Sequence, residues 1–208
     1  MTRKLADDVA RRRAAAVAGH TGDIAAARDF LTDDVPAVRA TALGALARAG
    51  GLTDDDLAAG LADPAAEVRA RAAELAAPRP GDGAPRLAPT LRDEDPAVVE
   101  AAAWACGERQ PPEPGVVDAL VPVATGHEDP LCREAAVAAL GAIGDPAGLP
   151  AILVATSDRP AVRRRAVLAL APFAGPEVDA AIERARADRD WQVRQAAEDV
   201  GGREDDHG

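Results

Sequence analysis

One motif recurs seven times along the chain, and that recurrence limits the fold more than any other feature. "DDVPAVRATALGALARAG" (33–50), "DPAAEVRARAAELAA" (63–77), "SDRPAVRRRAVLALAPFAG" (157–175) and "DWQVRQAAEDVGG" (190–202) share one template. Aligned on the residue after the recurrent Val, the copies place Arg11, Arg39, Arg69, Val99, Arg133, Arg163 and Arg194 in register, with spacings of 28, 30, 30, 34, 30 and 31. A unit of about thirty residues cannot bury its own apolar face, so successive units must stack into a solenoid.

The apolar pattern makes that solenoid helical. Three residues after each anchor stands an alanine: Ala14, Ala42, Ala72, Ala102, Ala136, Ala166 and Ala197. The position before the anchor and the seventh after it are apolar or small in every copy, and at about 100° per residue these three slots form one stripe of an amphipathic helix. Pro36, Pro96, Pro130 and Pro160 fit the first helical turn, and Gly50, Gly107, Gly141, Gly175 and Gly201 are expected at or beyond the helix ends. Shorter apolar segments at 23–31, 53–61, 115–124, 149–156 and 176–187 supply a second, outer helix per unit. Over 77–93, four prolines and two glycines leave room for only a short outer helix. The expectation is an all-α solenoid of six to seven helix pairs over 1–201, followed by a disordered acidic tail at 202–208.

Composition narrows the function classes. With 24 basic and 35 acidic residues the formal net charge is -11, a field that repels nucleic acid and anionic membranes. Neither a signal-peptide core nor a run of about 18 apolar residues occurs, so the reading is a cytoplasmic monomer without membrane contact. Aromatics make up only 2% of residues, which leaves a core of small side chains and closely packed helices. His20, His127 and His207 lie far apart, and Cys106 and Cys132 have no metal-ligand spacing, so no catalytic, cofactor or metal site is assigned. Cys106 and Cys132 are offset by eight positions on adjacent helices, about 12 Å along the axis, which excludes a disulfide.

The string Asp-x-x-x-x-Val-Arg-x-x-Ala, with the ending of "REAAVAALGAIGDPAGLPAIL" (133–153), resembles HEAT repeats. The short period is similar to the HEAT-like repeats of the phycobilin lyase group. The resemblance implies a ladder of ion pairs between a turn Asp and the Arg six residues later, here Asp33 with Arg39, Asp63 with Arg69 and Asp188 with Arg194. It fails where Asp93 precedes Val99 and where His127 precedes Arg133, while Asp158 stands beside the expected place before Arg163. By family analogy alone, a lyase-type or deoxyhypusine-hydroxylase-like enzyme is the alternative to a binding scaffold. The His127–Glu128 pair falls in a turn and is single, which does not build a di-iron site.

Arg163 belongs to the scaffold by register. Arg164 and Arg165 point away from the buried stripe, and Glu100 and Glu134 occupy the matching positions in neighbouring units. Trp104 is the sharper anomaly: it fills the slot five after the anchor, which faces away from the core, with Leu168 in the same slot two units on. Two readings stand. Trp104 anchors a partner protein on the concave face, with Leu168, Arg164, Arg165, Glu100 and Glu134 around it, or it folds over the proline-rich 78–90 segment and plugs an irregular joint. The first calls for a partner offering an apolar anchor flanked by acidic groups. Trp191, replacing the first-turn proline of the last unit, is read as an end cap.

Overall fold

A computed structural model describes residues 2–202, with side chains from Leu5 onward. Among these residues there are twelve α-helices and no strand: α1 (Thr2–Thr21), α2 (Ile24–Asp29), α3 (Pro36–Ala49), α4 (Asp54–Leu61), α5 (Ala66–Ala76), α6 (Pro96–Glu108), α7 (Val116–Gly126), α8 (Pro130–Ile143), α9 (Leu149–Ala155), α10 (Pro160–Ala169), α11 (Pro176–Arg186) and α12 (Trp191–Gly201). Helices α1, α3, α5, α6, α8, α10 and α12 pack each on the next as an inner row, and α2, α4, α7, α9 and α11 form the outer row. Of the acidic tail placed at 202–208, positions 203–208 lie outside the described residues.

Local chemistry starts and stops the helices. Pro36, Pro96, Pro130 and Pro160 open α3, α6, α8 and α10, and the Asp95, Asp129 and Asp190 carboxylates accept first-turn N–H groups as caps. Gly50 and Gly144 close α3 and α8 in the left-handed region, with φ of 73° and 69°. Two glycines expected as terminators have another role. Gly107 and Gly141 remain inside α6 and α8, where an added Cβ would lie 2.8 Å from the Ala139 Cα and 2.7 Å from the Ala169 Cα. They are there so that neighbouring inner helices can touch backbone to backbone.

The alanine slot explains the same closeness. Ala42, Ala72, Ala102, Ala136, Ala166 and Ala197 are each 0% exposed, and a larger side chain at any of them would overpack the row by about 1–3 kcal/mol. The first copy departs from the stripe at two of its three slots: Ala10 and Ala14 are exposed, while Ala18 is buried as expected and Ala15 turns inward with it.

The ion-pair ladder is present, but it runs between units. Within a unit, the Arg reaches back to a main-chain carbonyl of its own turn: Arg39 Nη1 donates to Asp33 O (2.8 Å), Arg69 to Asp63 O (2.9 Å) and Arg194 to Asp188 O (2.7 Å), six residues back, and Arg163 to Asp158 O (2.8 Å), five back. The carboxylate partner belongs to the next unit. Arg39 pairs with Asp63 (2.7 Å), Arg69 with Asp93 (2.7 Å), Arg133 with Asp158 (2.6 Å) and Arg163 with Asp188 (2.8 Å). Arg11 likewise meets Asp33 at 3.0 Å. The expected pairs Asp33–Arg39, Asp63–Arg69 and Asp188–Arg194 are thereby corrected. The guanidinium is a fork with five donors, and one edge ties its own turn while the other clamps the following one. Each carboxylate also holds its turn, as when Asp63 Oδ1 accepts from Ala65 N (2.8 Å) and Asp188 Oδ1 from Asp190 N (2.8 Å).

One rung is missing on both sides at once. Val99 stands where Arg would be, and His127 stands where the next unit would supply Asp. His127 keeps the turn function, since its Nδ1 accepts from Asp129 N (3.1 Å) and its carbonyl from Arg133 (2.7 Å). Val99 is 1% exposed and joins the apolar core.

The segment over 77–93 carries less helix than its composition left room for: its only helical element is a 3-10 turn at Ala88–Arg92. A buried polar cluster fills the joint. Arg109, 0% exposed, donates to Pro85 O (2.9 Å) and Ala76 O (3.3 Å) and pairs with Glu113 at 3.4 Å. Glu113 also accepts from Leu87 N (2.7 Å) and Arg86 Nε (2.9 Å). Burial lowers the pKa of Arg109, opposed by the charge of Glu113. Gly81 packs so tightly against the Pro112–Glu113 backbone that no side chain fits there.

Candidate functional site

The candidate site lies on the face of the inner row turned away from the outer helices. In α6, residues 98, 99, 102, 103, 105, 106 and 107 are buried, which leaves Ala97, Glu100, Ala101, Trp104 and Glu108 along the free stripe. Trp104 is at its centre, 48% exposed. Glu100 and Glu108 stand four residues to either side, about 6 Å along the helix axis in each direction. Among the described residues neither carboxylate is in an ion pair, whereas Arg71 pairs with Glu74 at 2.7 Å, and Arg165 and Arg164 share the one carboxylate of Glu134 at 3.4 and 3.9 Å.

The structure therefore divides the residues singled out from sequence into two patches. Around Trp104 are Glu100 and Glu108. Around Leu168 are Arg164, Arg165 and Glu134, beside a shallow groove of about 450 Å³ between α8 and α10 floored by Ala138, Gly141 and Ala169. Trp104 and Leu168 share a slot two units apart, so with about 8–10 Å between helix axes they are separated by roughly 16–20 Å. Glu108 was not among the residues picked from sequence, although its place four after Trp104 in "WACGE" puts it on the same stripe.

The joint at 77–93 is filled by Arg109, Glu113, Leu87 and Leu91, all buried. Trp191 is 65% exposed at the start of α12. Both cysteines are free and buried; burial raises the Cys106 thiol to about 12 and the Cys132 thiol to about 11. Among the described residues no group of three or more His, Cys, Asp or Glu side chains is arranged to hold a metal ion, and no helix is long and apolar enough to cross a membrane.

A family model described as HEAT repeats matches residues 55–121, 84–171 and 117–200, more than half of the chain. The chain belongs to the HEAT-repeat family. Two solved structures, of an engineered and of a designed protein, share the fold. An engineered protein is 20% identical over 86% of this chain and 94% of its own, with a TM-score of 0.62. A designed armadillo repeat protein in complex with the peptide (KR)4 is 16% identical over 86% of this chain and 97% of its own, with a TM-score of 0.61. Human deoxyhypusine hydroxylase is 22% identical over 91% of this chain and 77% of its own, at a TM-score of 0.49. No curated protein matches the sequence. Within the HEAT array, the ladder and the alanine slot serve the stack, and the slot five after the anchor is left free to vary.

Proposed function

We propose that this HEAT array is a non-enzymatic binding scaffold that takes a segment of another protein on the free face of its inner row, with Trp104 as the anchor. The observation that carries this reading is the exposure of a tryptophan, 48%, at the centre of a helix whose other large apolar side chains are buried. Fixed, half-exposed tryptophans on a rigid element are what binding hot spots are made of. What supports this role over that of a joint plug is that Arg109 and Glu113 occupy the joint. The fold's capacity for such binding is illustrated by the designed armadillo repeat protein that holds a peptide.

The test is capture of partners from a lysate of the source cells by wild type and Trp104→Ala, followed by mass spectrometry and thermal melts. Truncating the anchor should weaken capture by about tenfold or more, while an exposed site leaves stability within about 1 kcal/mol. A variant that keeps its partner and melts much earlier would return Trp104 to a packing role.

A further inference from the structure

We infer that the segment bound at Trp104 is basic: an extended stretch of a partner protein that lays a Lys or Arg side chain over the indole and sets neighbouring basic side chains against Glu100 and Glu108. This rests on the reading of the inner face as a binding surface and adds the chemistry of what it binds. Sequence register alone points the other way, toward an acid-flanked partner, because it gives Arg164 and Arg165 no acceptor. In the fold both reach Glu134, while the two carboxylates beside Trp104 have no cation among the described residues.

Charge complementarity selects the occupant. A cation within about 6 Å of an indole face is attracted by the ring quadrupole, and tryptophan is the strongest of the aromatic side chains in this respect. Glu100 and Glu108 reinforce that preference from both sides, and the whole chain, at -11, adds a field of the same sign. Phosphate backbones, anionic lipid headgroups and acidic peptides are repelled by the same groups.

Spacing fits an extended chain. Glu100, Trp104 and Glu108 rise about 6 Å apart along α6, and alternate side chains on one edge of an extended segment rise about 6.6 Å. Basic residues at alternate positions of such a segment would therefore meet one carboxylate, the ring and the second carboxylate in turn. The two carboxylates are about 12 Å apart along the axis, too far to share a single cation.

The experiment uses the full chain and a dye-labelled peptide, Ala-Lys-Ser-Arg-Ser-Lys-Ala, with its counterpart carrying Glu at the three basic positions, read by anisotropy at low salt. In a Trp191→Phe background, Trp104 is the only tryptophan and its fluorescence reports contact directly. The basic peptide should bind and perturb Trp104, with Trp104→Ala weakening it about tenfold or more and Glu100→Gln with Glu108→Gln together by about three- to tenfold. A control pair on the outer row, Glu177→Gln with Asp179→Asn, removes the same charge and should leave affinity within about twofold. If the inner and outer pairs weaken binding equally, only the overall field attracts the peptide and the inference fails. Preference for the acidic peptide, with a response to Trp104→Ala, would overturn the basic partner while leaving the binding face intact. Failure of the face itself has a separate signature: capture of the cellular partner unaffected by Trp104→Ala.

Discussion

Rebuilding the missing rung tests the ladder at the one place where it is interrupted. Val99→Arg alone places a guanidinium at a site 1% exposed, with no carboxylate opposite, and should destabilise by about 3 kcal/mol. His127→Asp alone keeps the turn, since a carboxylate oxygen can accept from Asp129 N as Asp63 does from Ala65 N. It also adds charge to a surface cleft already lined by Glu94, Glu128 and Asp129, for a loss of about 1 kcal/mol. Together the two should form a forked pair like that of Arg69 with Asp93, whose two hydrogen bonds measure 2.7 and 2.8 Å. Hydrogen bonds to charged groups contribute about 1.5–3 kcal/mol, so the coupling energy of the cycle should be about 2–4 kcal/mol and the double variant should stand within about 2 kcal/mol of wild type. Urea unfolding of the four proteins, with the slope of unfolding held constant, measures it. A coupling below about 0.5 kcal/mol would mean that position 127 does not face position 99 as Asp93 faces Arg69, and the account of the ladder as a unit-to-unit clamp would be wrong there.

Three further outcomes follow from the same geometry. Arg69→Ala should lose about 3 kcal/mol, because it strips Asp93 of both its guanidinium bonds at a site 11–13% exposed, whereas Arg165→Ala, on a side chain 38% exposed, should stay within about 1 kcal/mol in the same urea assay. Hydrogen bonds from Arg69, Arg133 and Arg163 hold Asp93, Asp158 and Asp188 below the usual carboxylate range; for Asp63, burial opposes but the bonds from Arg39 and Ala65 N prevail. Depressed folded-state values mean that this stability is fully present above about pH 4 and is lost as pH falls through them, so the urea midpoint should drop most steeply below about pH 4, and less so in Asp93→Asn. Both thiols should resist alkylation at pH 8 in the folded protein, given pKa values raised to about 12 and about 11, and both should titrate in urea without reductant; finding none would break the helix register.

The parts of this fold that were legible in the sequence are those repeated in every unit. Ala102 and Ala136 announce a close helix contact because the same slot is alanine seven times over, and a period of about thirty residues carries the helix pairing with it. The partner of each arginine was not legible in the same way. A spacing of six is a number within one unit, while the true carboxylate lies 24 or 25 residues ahead for Arg39, Arg69, Arg133 and Arg163, a distance set by the outer segment between. Both contacts exist, and only the carbonyl one has the short spacing. The Arg109–Glu113 cluster is harder still, because it occurs once, in a stretch rich in proline and glycine, and its acceptors at Ala76 and Pro85 are main-chain groups that no side-chain pattern marks. At the candidate site, helical spacing placed Trp104 outward, but the charge around it depended on which arginines were already paired, and that depends on Glu134 lying one unit away.

The interruption of the ladder and the exposed tryptophan fall on the same helix, and the two are physically compatible. At its N-terminal end α6 has Val99 in the core in place of a clamped arginine. Just past its C-terminal end it is held by Arg109, which is fully buried and ties Ala76, Pro85 and Glu113 together. Between these ends, Ala102 and Gly107 press α6 against its neighbours, with Gly107 approaching the Ala139 Cα too closely to admit a Cβ. The indole of Trp104 therefore projects from a helix fixed on three sides by contacts that do not involve it. Such a side chain is free to be selected for what it binds, and a rigid mount lowers the entropy lost when a partner segment settles on it. The neighbouring units keep their arginines clamped to carboxylates, which leaves the negative charge of Glu100 and Glu108 as the local field that a partner meets.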